Sequence, residues 1–169
     1  MPTGVKAKAN RRARRALADD PLDQLIWYLG RAYYTYVGLL EQVLTETGLD
    51  RHVRPGMGHV LFTLFEQDER SIKEIAARSQ LACSTLTGLL DRMESAGLIE
   101  RRRDREDGRI VRIRLTPLGR SLEPRCQAVA QQFADLFASH MGTAGVRRGK
   151  RLLQRMIQTM RSDAAVKRR

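Results

Sequence analysis

The stretch from Ser71 to Thr116 constrains the fold of this chain more than any other. It opens with Ser71 and Glu74 in the spacing S-x-x-E, in which each side chain accepts a hydrogen bond from an unpaired amide at a helix start. Apolar residues then recur at i, i+3, i+4 and i+7: Leu86, Leu89, Leu90 and Met93. This spacing is typical of one face of a helix. The order therefore predicts a helix, a tight turn near residues 78–81 and a second helix ending at Gly97.

A β-hairpin is predicted after the second helix. Its return strand alternates apolar and basic residues: Val111, Arg112, Ile113, Arg114 and Leu115. A period of two with β-branched side chains marks a half-buried strand, and Asp107-Gly108 is a turn signal. Residues 100–109 contain five arginines and four acids, so the hairpin loop is not a plain basic arm. The acids can pair with some arginines and leave others free.

The second helix has a polar face opposite its apolar stripe. That face carries small, hydroxyl-bearing and charged residues: Ser84, Thr85, Gly88, Asp91 and Arg92. Such a face can approach a nucleic-acid groove closely, bind phosphates and contact base edges. The alternative is a solvated face on an ordinary core helix. Because a charged hairpin follows, we interpret the stretch as a winged helix-turn-helix with duplex DNA as its ligand.

Two motifs in this stretch resemble the MarR family of bacterial transcription regulators. One is STLTGLLDRMESAGLIER, which spans the second helix, and the other is D-x-R in the hairpin, Asp107 and Arg109, followed by Thr116 and Gly119. A lone helix-turn-helix would be less specific than the two motifs together. The resemblance extends more loosely over residues 21–162.

The resemblance implies a role for several residues. Asp107 would brace the wing, and Arg109 would enter the minor groove, where the negative potential of a narrow groove favours arginine. Ser84, Thr85 and Thr87 would face phosphates and bases. The complete set of predicted DNA contacts is Ser84, Thr85, Thr87, Gly88, Arg92, Arg105, Arg109 and Arg112.

The chain departs from the family pattern at two positions. Gly88 stands where the family often has an arginine, so a base contact is missing or is made by Arg92. Ala82 stands where the family commonly has a helix-capping residue, so the cap is absent or is supplied by Ser84 at a later helix start.

Composition supports a nucleic-acid ligand. The chain of 169 residues has a formal net charge of +12 and a sequence pI of about 10.8, which favours polyanionic partners. A generally basic soluble protein is the alternative. No segment approaches the roughly 18 consecutive apolar residues of a membrane span, and no apolar region follows the basic N-terminus as in a secretory signal. Cys83 and Cys126 form no spacing motif, so we expect a cytoplasmic protein with reduced thiols.

The expected fold is mostly α with a small β-wing, a winged helix-turn-helix lobe plus long dimerisation helices. The predicted order along the chain is a flexible basic tail (1–19), an N-terminal dimerisation helix and linker (20–53), the DNA-binding lobe (54–116), C-terminal dimerisation helices (117–162) and a basic tail (163–169). Helix starts are predicted at Pro21, Pro55 and Pro117, a bend at Pro124 and a break at residues 142–145.

The first helix predicts a homodimer. Its apolar stripe runs for about seven turns from Leu22 to Leu44, and Trp27, Tyr28 and Tyr34 extend the apolar surface around it. A large apolar surface on a long helix usually meets a partner helix. In the MarR family the first and last helices interlock two subunits. A symmetric dimer would bind a near-palindromic operator whose half-sites lie about one helical turn apart.

Regulators of this family often respond to an aromatic acid or a phenol. Candidate ligand contacts here are Trp27, Tyr33, Tyr34, His52, Arg54 and Met57, since aromatic walls with a few polar groups suit such a site. The alternative is that these residues form dimer core. A ligand of this kind would release the protein from DNA, so the expected function is repression.

Other functions are less well supported by the residues. Cys83 near a helix start could be a reactive thiol and an oxidant sensor, or a small buried residue. The three histidines match no metal-site spacing, and no phosphate-binding glycine loop or hydrolase motif is present, so we expect no enzyme, metal or cofactor. The main rivals are a sequence-indifferent architectural nucleic-acid binder and a winged module that only docks a protein.

Overall fold

A computed structural model describes residues 21–166 of the chain, with side chains described for residues 24–162. The predicted basic tail at residues 1–19 and the last three residues lie outside that range. The chain divides into two compact units whose boundary falls between Val60 and Leu61, inside a helix. Among the helices described, none is long and apolar enough to cross a membrane.

The first unit is built on one long helix. Helix α1 spans Pro21–Glu46, as the apolar stripe predicted. It ends before Gly48, because the left-handed φ of 65° at this glycine is incompatible with a right-handed helix. Helix α2 spans Gly58–Glu66. The predicted helix start at Pro55 is wrong because Gly56 has a φ of 91°, which holds residues 55–57 in a turn.

The second unit contains the remaining helices and a small sheet. Its elements are β1 (Arg70–Ser71), α3 (Ile72–Ser79), α4 (Cys83–Ser95), β2 (Ile99–Arg103), β3 (Val111–Leu115), α5 (Pro117–Ser121) and α6 (Glu123–Val166). The sheet order is β1-β3-β2, and both pairings are antiparallel. This is the mostly helical winged helix-turn-helix that the sequence predicted. We call β2, β3 and the loop between them the wing.

The helix-turn-helix forms where the capping signal placed it. The backbone amide of Ser71 donates to Glu74 Oε2 at 2.8 Å, and the amide of Glu74 donates to Ser71 Oγ at 3.2 Å. Helix α3 ends at Gln80, which has a left-handed φ of 57°. Helix α4 then begins at Cys83, and Ala82 supplies no side-chain cap. Of the two alternatives for this helix start, the absent cap is therefore correct.

The sheet has a third strand that the sequence does not predict. Arg70 pairs with Ile113 and Ser71 pairs with Arg112, so β1 joins the start of α3 to the return strand of the wing. The sequence indicates only a polar link at residues 67–70. A two-residue strand has no periodicity to detect, yet Arg70 is only 8% exposed and its Nε donates to the Thr63 carbonyl at 3.3 Å.

The core of the second unit lies between α4 and the sheet. Leu86, Leu89, Leu90 and Met93 are all buried, which confirms the apolar stripe. Ile113 and Leu115 of β3 are buried as well, as the alternation predicted. Burying one such side chain contributes about 1.5–3 kcal/mol, so this stripe sets which face of α4 remains outside.

The C-terminal helices begin on a predicted cap. Thr116 Oγ1 accepts the amide of Gly119 at 3.0 Å, and Pro117 occupies the first turn of α5. The helix is interrupted at Leu122, so Pro124 lies in the first turn of α6. The predicted break at residues 142–145 is confirmed, since Gly142 is non-helical with φ 65° and ψ 161°.

Candidate nucleic-acid interface

Helix α4 presents an exposed polar face. Ser84, Thr85, Thr87 and Arg92 are exposed, and Gly88 is half-buried among them. Thr87 Oγ1 donates to the Cys83 carbonyl at 2.9 Å, so its proton is used within the helix and its oxygen can still accept a hydrogen bond. The hydroxyls of Ser84 and Thr85 have no partner among the described residues, which leaves them free to donate to phosphate.

Gly88 and Arg92 are neighbours on this face. A Cβ atom built at Gly88 would lie 3.7 Å from Nη1 of Arg92, in ordinary van der Waals contact. The guanidinium of Arg92 therefore lies next to the position that the Cβ atom of a larger residue 88 would occupy. Arg92 has no carboxylate partner among the described side chains. A base or phosphate contact from this part of α4 is thus available to Arg92.

The loop of the wing is organised by Asp104. Its Oδ1 accepts the amides of Glu106 at 2.8 Å and Asp107 at 2.9 Å, and its Oδ2 pairs with Nε of Arg112. The amide of Asp107, the Arg112 side chain and the amide of Glu106 together lower the pKa of Asp104 to about 2. The carboxylate is therefore ionised at any physiological pH, and it closes the loop onto β3.

Asp107 acts on the tip of the wing. Its Oδ1 accepts the amide of Arg109 at 3.0 Å, and its carbonyl accepts the amide of Ile110 at 2.9 Å. Both bonds are local and shape the turn that precedes Arg109. The side chains of Arg105 and Arg109 are exposed, and neither has a carboxylate partner among the described side chains.

Arg112 was predicted to contact DNA, and the geometry favours a different role. Its Nε pairs with Asp104, and its Nη1 donates to the Glu69 carbonyl at 3.0 Å. Oε2 of Glu74 lies 3.9 Å from Nη1 of Arg112. The guanidinium thus holds the base of the wing to the start of α3. A cation surrounded in this way has its charge compensated inside the protein.

The wing is also tied to α4. The Arg101 guanidinium pairs with Asp91 Oδ1 at 2.6 Å and with the Glu94 carboxylate, and the Arg101 amide donates to Glu94 Oε1 at 3.3 Å. Those pairs raise the pKa of Arg101 despite its partial burial, which acts in the opposite direction. Neither this bridge nor the Asp104 pair was found from the sequence. An aspartate in a turn often accepts nearby backbone amides, but the sequence has two such aspartates, Asp104 and Asp107. It does not show which of them organises the loop.

The arginines of this surface fall into two sets, those with an acidic partner and those without one. Seven arginines between residues 66 and 120 have an acidic partner: Arg70, Arg78, Arg101, Arg102, Arg112, Arg114 and Arg120. Arg92, Arg103, Arg105 and Arg109 are exposed and have none among the described side chains. The exposed Lys73 of α3 has none there either. Of the four arginines, Arg92 lies on α4, and the other three lie in the wing, one at the end of β2 and two in the loop. Most of the uncompensated positive charge of this surface therefore lies on α4 and the wing.

The pKa of Asp104 provides a test of this wing structure. We expect the side-chain carboxyl carbon of Asp104 to titrate with a midpoint near 2 in an NMR experiment. Because the folded pKa lies below the ordinary value of 3.8, the group stabilises the fold above that value and the stabilisation is lost as pH falls through about 2.

The variant Arg112→Gln should raise that midpoint only part of the way to 3.8, because the two backbone amides remain. Arg105→Gln is the control, since Arg105 makes no described contact with Asp104 and should leave the midpoint in place. A wild-type midpoint at the ordinary value would contradict the wing structure.

The candidate ligand residues lie in the first unit. Trp27, Tyr33 and Tyr34 are 55%, 61% and 76% exposed on α1, and the Arg31 guanidinium lies 5.1 Å from the Trp27 ring centroid. Met57 is buried, and its sulfur accepts the Arg54 amide at 3.4 Å. Among residues 24–162, no hydrogen bond or ring contact joins these aromatic residues to His52, Arg54 or Met57. The predicted ligand site is not assembled by such contacts within one chain.

The remaining candidate residues are Cys83, for oxidant sensing, and the histidines, for metal binding. Cys83 is exposed in the first turn of α4 and is a free thiol, so the alternative role as a small buried residue is wrong. Its oxidation stays a prediction. Cys126 is buried, and burial raises the pKa of its thiol. No cluster of three or more potential metal ligands exists among the described residues.

Comparison with known proteins identifies the family. The sequence profile of the MarR family matches residues 55–111. The HTH-type transcriptional repressor IacR of Pseudomonas putida is 30% identical over 128 residues, which cover 76% of this chain and 74% of the repressor.

Two solved structures share the fold at low sequence identity. BpsR of Bordetella bronchiseptica has a TM-score of 0.66 and 24% identity over 76% of this chain and 89% of BpsR. Reduced AbfR bound to DNA has a TM-score of 0.63 and 21% identity over 90% of this chain and 97% of AbfR. The matched profile, the similarity to IacR along most of both chains and the winged fold agree: this chain belongs to the MarR family of transcriptional regulators.

Proposed function

We propose that this protein is a dimeric, sequence-specific DNA-binding repressor that a small aromatic ligand releases from its operator. The main observation in its support is which arginines have an acidic partner and which do not. Seven arginines around α4 and the wing are paired with acids. Arg92 on α4 and three arginines of the wing, Arg103, Arg105 and Arg109, are exposed and have no acidic partner among the described side chains. A surface that only needed solubility would not concentrate most of its unpaired arginines on one helix face and one hairpin.

The proposed contacts follow from the chemistry of each side chain. Helix α4 enters the major groove, where Ser84 and Thr85 donate to phosphates or base edges, and Arg92 can bind a guanine or a phosphate. Thr87 contributes its methyl group and an acceptor, and Gly88 allows the backbone to approach closely. Arg109 inserts into the minor groove beside the wing, with Arg105 on the flanking backbone.

Exposed apolar side chains support the dimer. On α1 they include Leu25, Ile26, Trp27, Tyr28, Tyr33 and Tyr34, and on α6 they include Leu136, Phe137, Met141, Leu152, Leu153 and Ile157, each at least 41% exposed. Apolar patches of this extent are rare on monomeric soluble proteins. We infer that a second copy of the chain covers them, because a symmetric dimer is the commonest way to bury such a surface and would present two α4 helices on a twofold axis.

The first experiment measures affinity for DNA directly upstream of the protein's own gene, against a random duplex of equal length at near-physiological salt. A sequence-specific regulator should prefer the upstream DNA by about a thousandfold or more. A footprint on that DNA should show two half-sites about one helical turn apart, as two joined protomers require.

The outcome that would contradict this function is equal binding to both duplexes. If genome-wide selection of bound fragments then also found no preferred sequence, the protein would be an architectural binder. Gly88 in place of a base-reading side chain is the observation that favours this second candidate. Its affinity would be almost wholly electrostatic and would collapse steeply with salt.

The ligand proposal rests on the aromatic surface of α1. Trp27 contacts Tyr28 edge to face at 4.9 Å between ring centroids, and Tyr33 contacts Tyr34 at 5.4 Å. Covered by a second protomer, such rings with His52, Arg54 and Met57 would suit an aromatic acid, with arginine as the carboxylate partner. In BpsR, DNA binding is regulated by 6-hydroxynicotinic acid, a ligand of this class.

A panel of aromatic acids and phenols tests the ligand proposal. A true inducer should raise the melting temperature of the free protein, because it binds only the folded state, and should lower its operator affinity. At a hundred times its Kd, one binding site adds about 2.7 kcal/mol of stability. Non-aromatic acids of similar size are the control. If every compound leaves both the melting temperature and the DNA affinity unchanged, the site is dimer core.

A further inference from the structure

The part of α6 that follows Gly142 carries an unusual set of cations. Six exposed basic residues lie on it: Arg147, Arg148, Lys150, Arg151, Arg155 and Arg161. At 3.6 residues per turn they occupy an arc of about 160° on one side of the helix. The opposite side carries the apolar residues Leu152, Leu153, Met156, Ile157 and Met160. We call the first set the basic strip.

The basic strip has no acidic residues to compensate it. Between Asp135 and Asp163 the sequence contains no aspartate or glutamate. Among the described side chains, none of the six cations forms an ion pair. This differs from the region around the wing, where most arginines are paired with carboxylates. A solvated helix face usually mixes both signs of charge, so an uncompensated strip indicates an anionic partner.

One hydrogen bond locates the end of the strip. Arg161 Nη2 donates to the carbonyl of Gln80, the left-handed residue that ends α3 in the helix-turn-helix. Residues 147–161 span about 21 Å along the helix at 1.5 Å per residue, so Arg147 lies about that far along the axis from Arg161. The turn directly precedes α4, whose first residues are proposed to contact DNA.

We propose that the basic strip binds the phosphate backbone of duplex DNA flanking the half-site that α4 occupies. This rests on the proposed function, because it takes α4 as the element that positions the duplex. Five of the six cations are arginines, whose planar guanidinium matches phosphate with paired hydrogen bonds. An anionic membrane surface is the other partner that a basic amphipathic helix can bind. DNA is favoured because Arg161 lies at the helix-turn-helix and because the apolar side has a proposed partner in the second protomer.

The test uses the full-length protein with Arg147→Gln, Arg151→Gln and Arg155→Gln combined. Its matched control is Arg147→Lys, Arg151→Lys and Arg155→Lys, which keeps the charge at the same positions. Affinity is measured against salt for the upstream DNA and for random duplex, both extending a full helical turn beyond the proposed half-sites. The neutral variant should bind both duplexes at least about tenfold more weakly, with a slope of log K against log salt that is shallower by about 0.9 for each phosphate that is no longer bound.

The strip binds phosphates only, so the preference for upstream DNA over random duplex should not change in the neutral variant. The lysine variant keeps the charge, so it should keep the wild-type salt slope and lose less affinity than the neutral variant. If the neutral variant keeps the wild-type affinity and salt slope on both duplexes, the proposal is wrong. If it also loses binding to phosphatidylserine vesicles that the wild type binds, the strip is a membrane site.

Two further readouts keep the outcomes distinct. Circular dichroism and sedimentation of both triple variants report folding and assembly. Should the neutral triple variant misfold, Arg151→Gln alone is compared with Arg151→Lys, and equal affinities of those two would overturn the proposal. A wild-type protein with no preference for upstream DNA would contradict the proposed function, while a reduced affinity of the neutral variant for random duplex would still report on the strip.

Discussion

Replacing Gly119 with alanine is expected to destabilise the protein by about 3 kcal/mol or more, the upper end of what overpacking costs. A Cβ atom at Gly119 would overlap the carbonyl oxygen of Leu98 and lie 3.0 Å from its carbonyl carbon. That carbonyl is held in place because it accepts the amide of Thr116 at 3.0 Å. Backbone cannot turn aside as a flexible side chain can, so α5 would have to separate from the start of the wing.

Urea unfolding followed by circular dichroism measures this effect. Gly88→Ala is the matched control, because the same substitution on an open helix face meets only ordinary contact with Arg92 and should leave stability unchanged or raise it by up to about 1 kcal/mol. An unfolding midpoint for Gly119→Ala equal to that of the wild type would show that α5 and the wing are packed differently.

The second large effect is expected from Arg109→Ala, which should weaken operator binding by at least about 1 kcal/mol, or roughly fivefold. Arg109 is exposed and unpaired, and the Asp107 carboxylate fixes its amide, so the side chain projects from a defined turn. Removing it takes away a cation from the proposed minor-groove contact and breaks no described ion pair within the protein. Stability should therefore stay unchanged while affinity falls.

The weakening should be larger on the operator than on random duplex, because groove width and its potential depend on sequence. Arg51→Ala removes another exposed arginine, in the turn after α1, and should leave operator affinity unchanged. Equal affinities for Arg109→Ala and the wild type would show that the wing does not engage DNA as proposed.

Local signals in the sequence are sufficient for much of the fold. The capping box of Ser71 and Glu74 involves residues three apart, and the stripe from Leu86 to Met93 depends only on helical periodicity. The alternation from Val111 to Leu115 is a signal of the same local kind. These features need no knowledge of distant residues, so they could be predicted, and the structure confirms each of them.

Long-range pairings could not be predicted from the same signals. The strand formed by Arg70 exists only because Ile113 lies opposite it, 43 residues later. The pairs of Asp104 with Arg112 and of Arg101 with Asp91 depend on the register of the wing and on where α4 ends. The sequence showed that acids would bind some arginines, but only the register determines that Arg112 is paired while Arg109 is free.

The third strand has a consequence for regulation. β1 joins the wing to α3, and Arg101 joins the wing to α4. The elements that are proposed to enter the major and the minor groove are therefore held together in one lobe. A ligand bound outside this lobe would be expected to change the distance between the two lobes of the proposed dimer and to leave the fit of each lobe to its half of the operator unchanged. In the proposed dimer, an inducer would leave affinity for an isolated half-site intact. It would abolish binding only to DNA on which both DNA-binding lobes of the dimer must fit half-sites one helical turn apart.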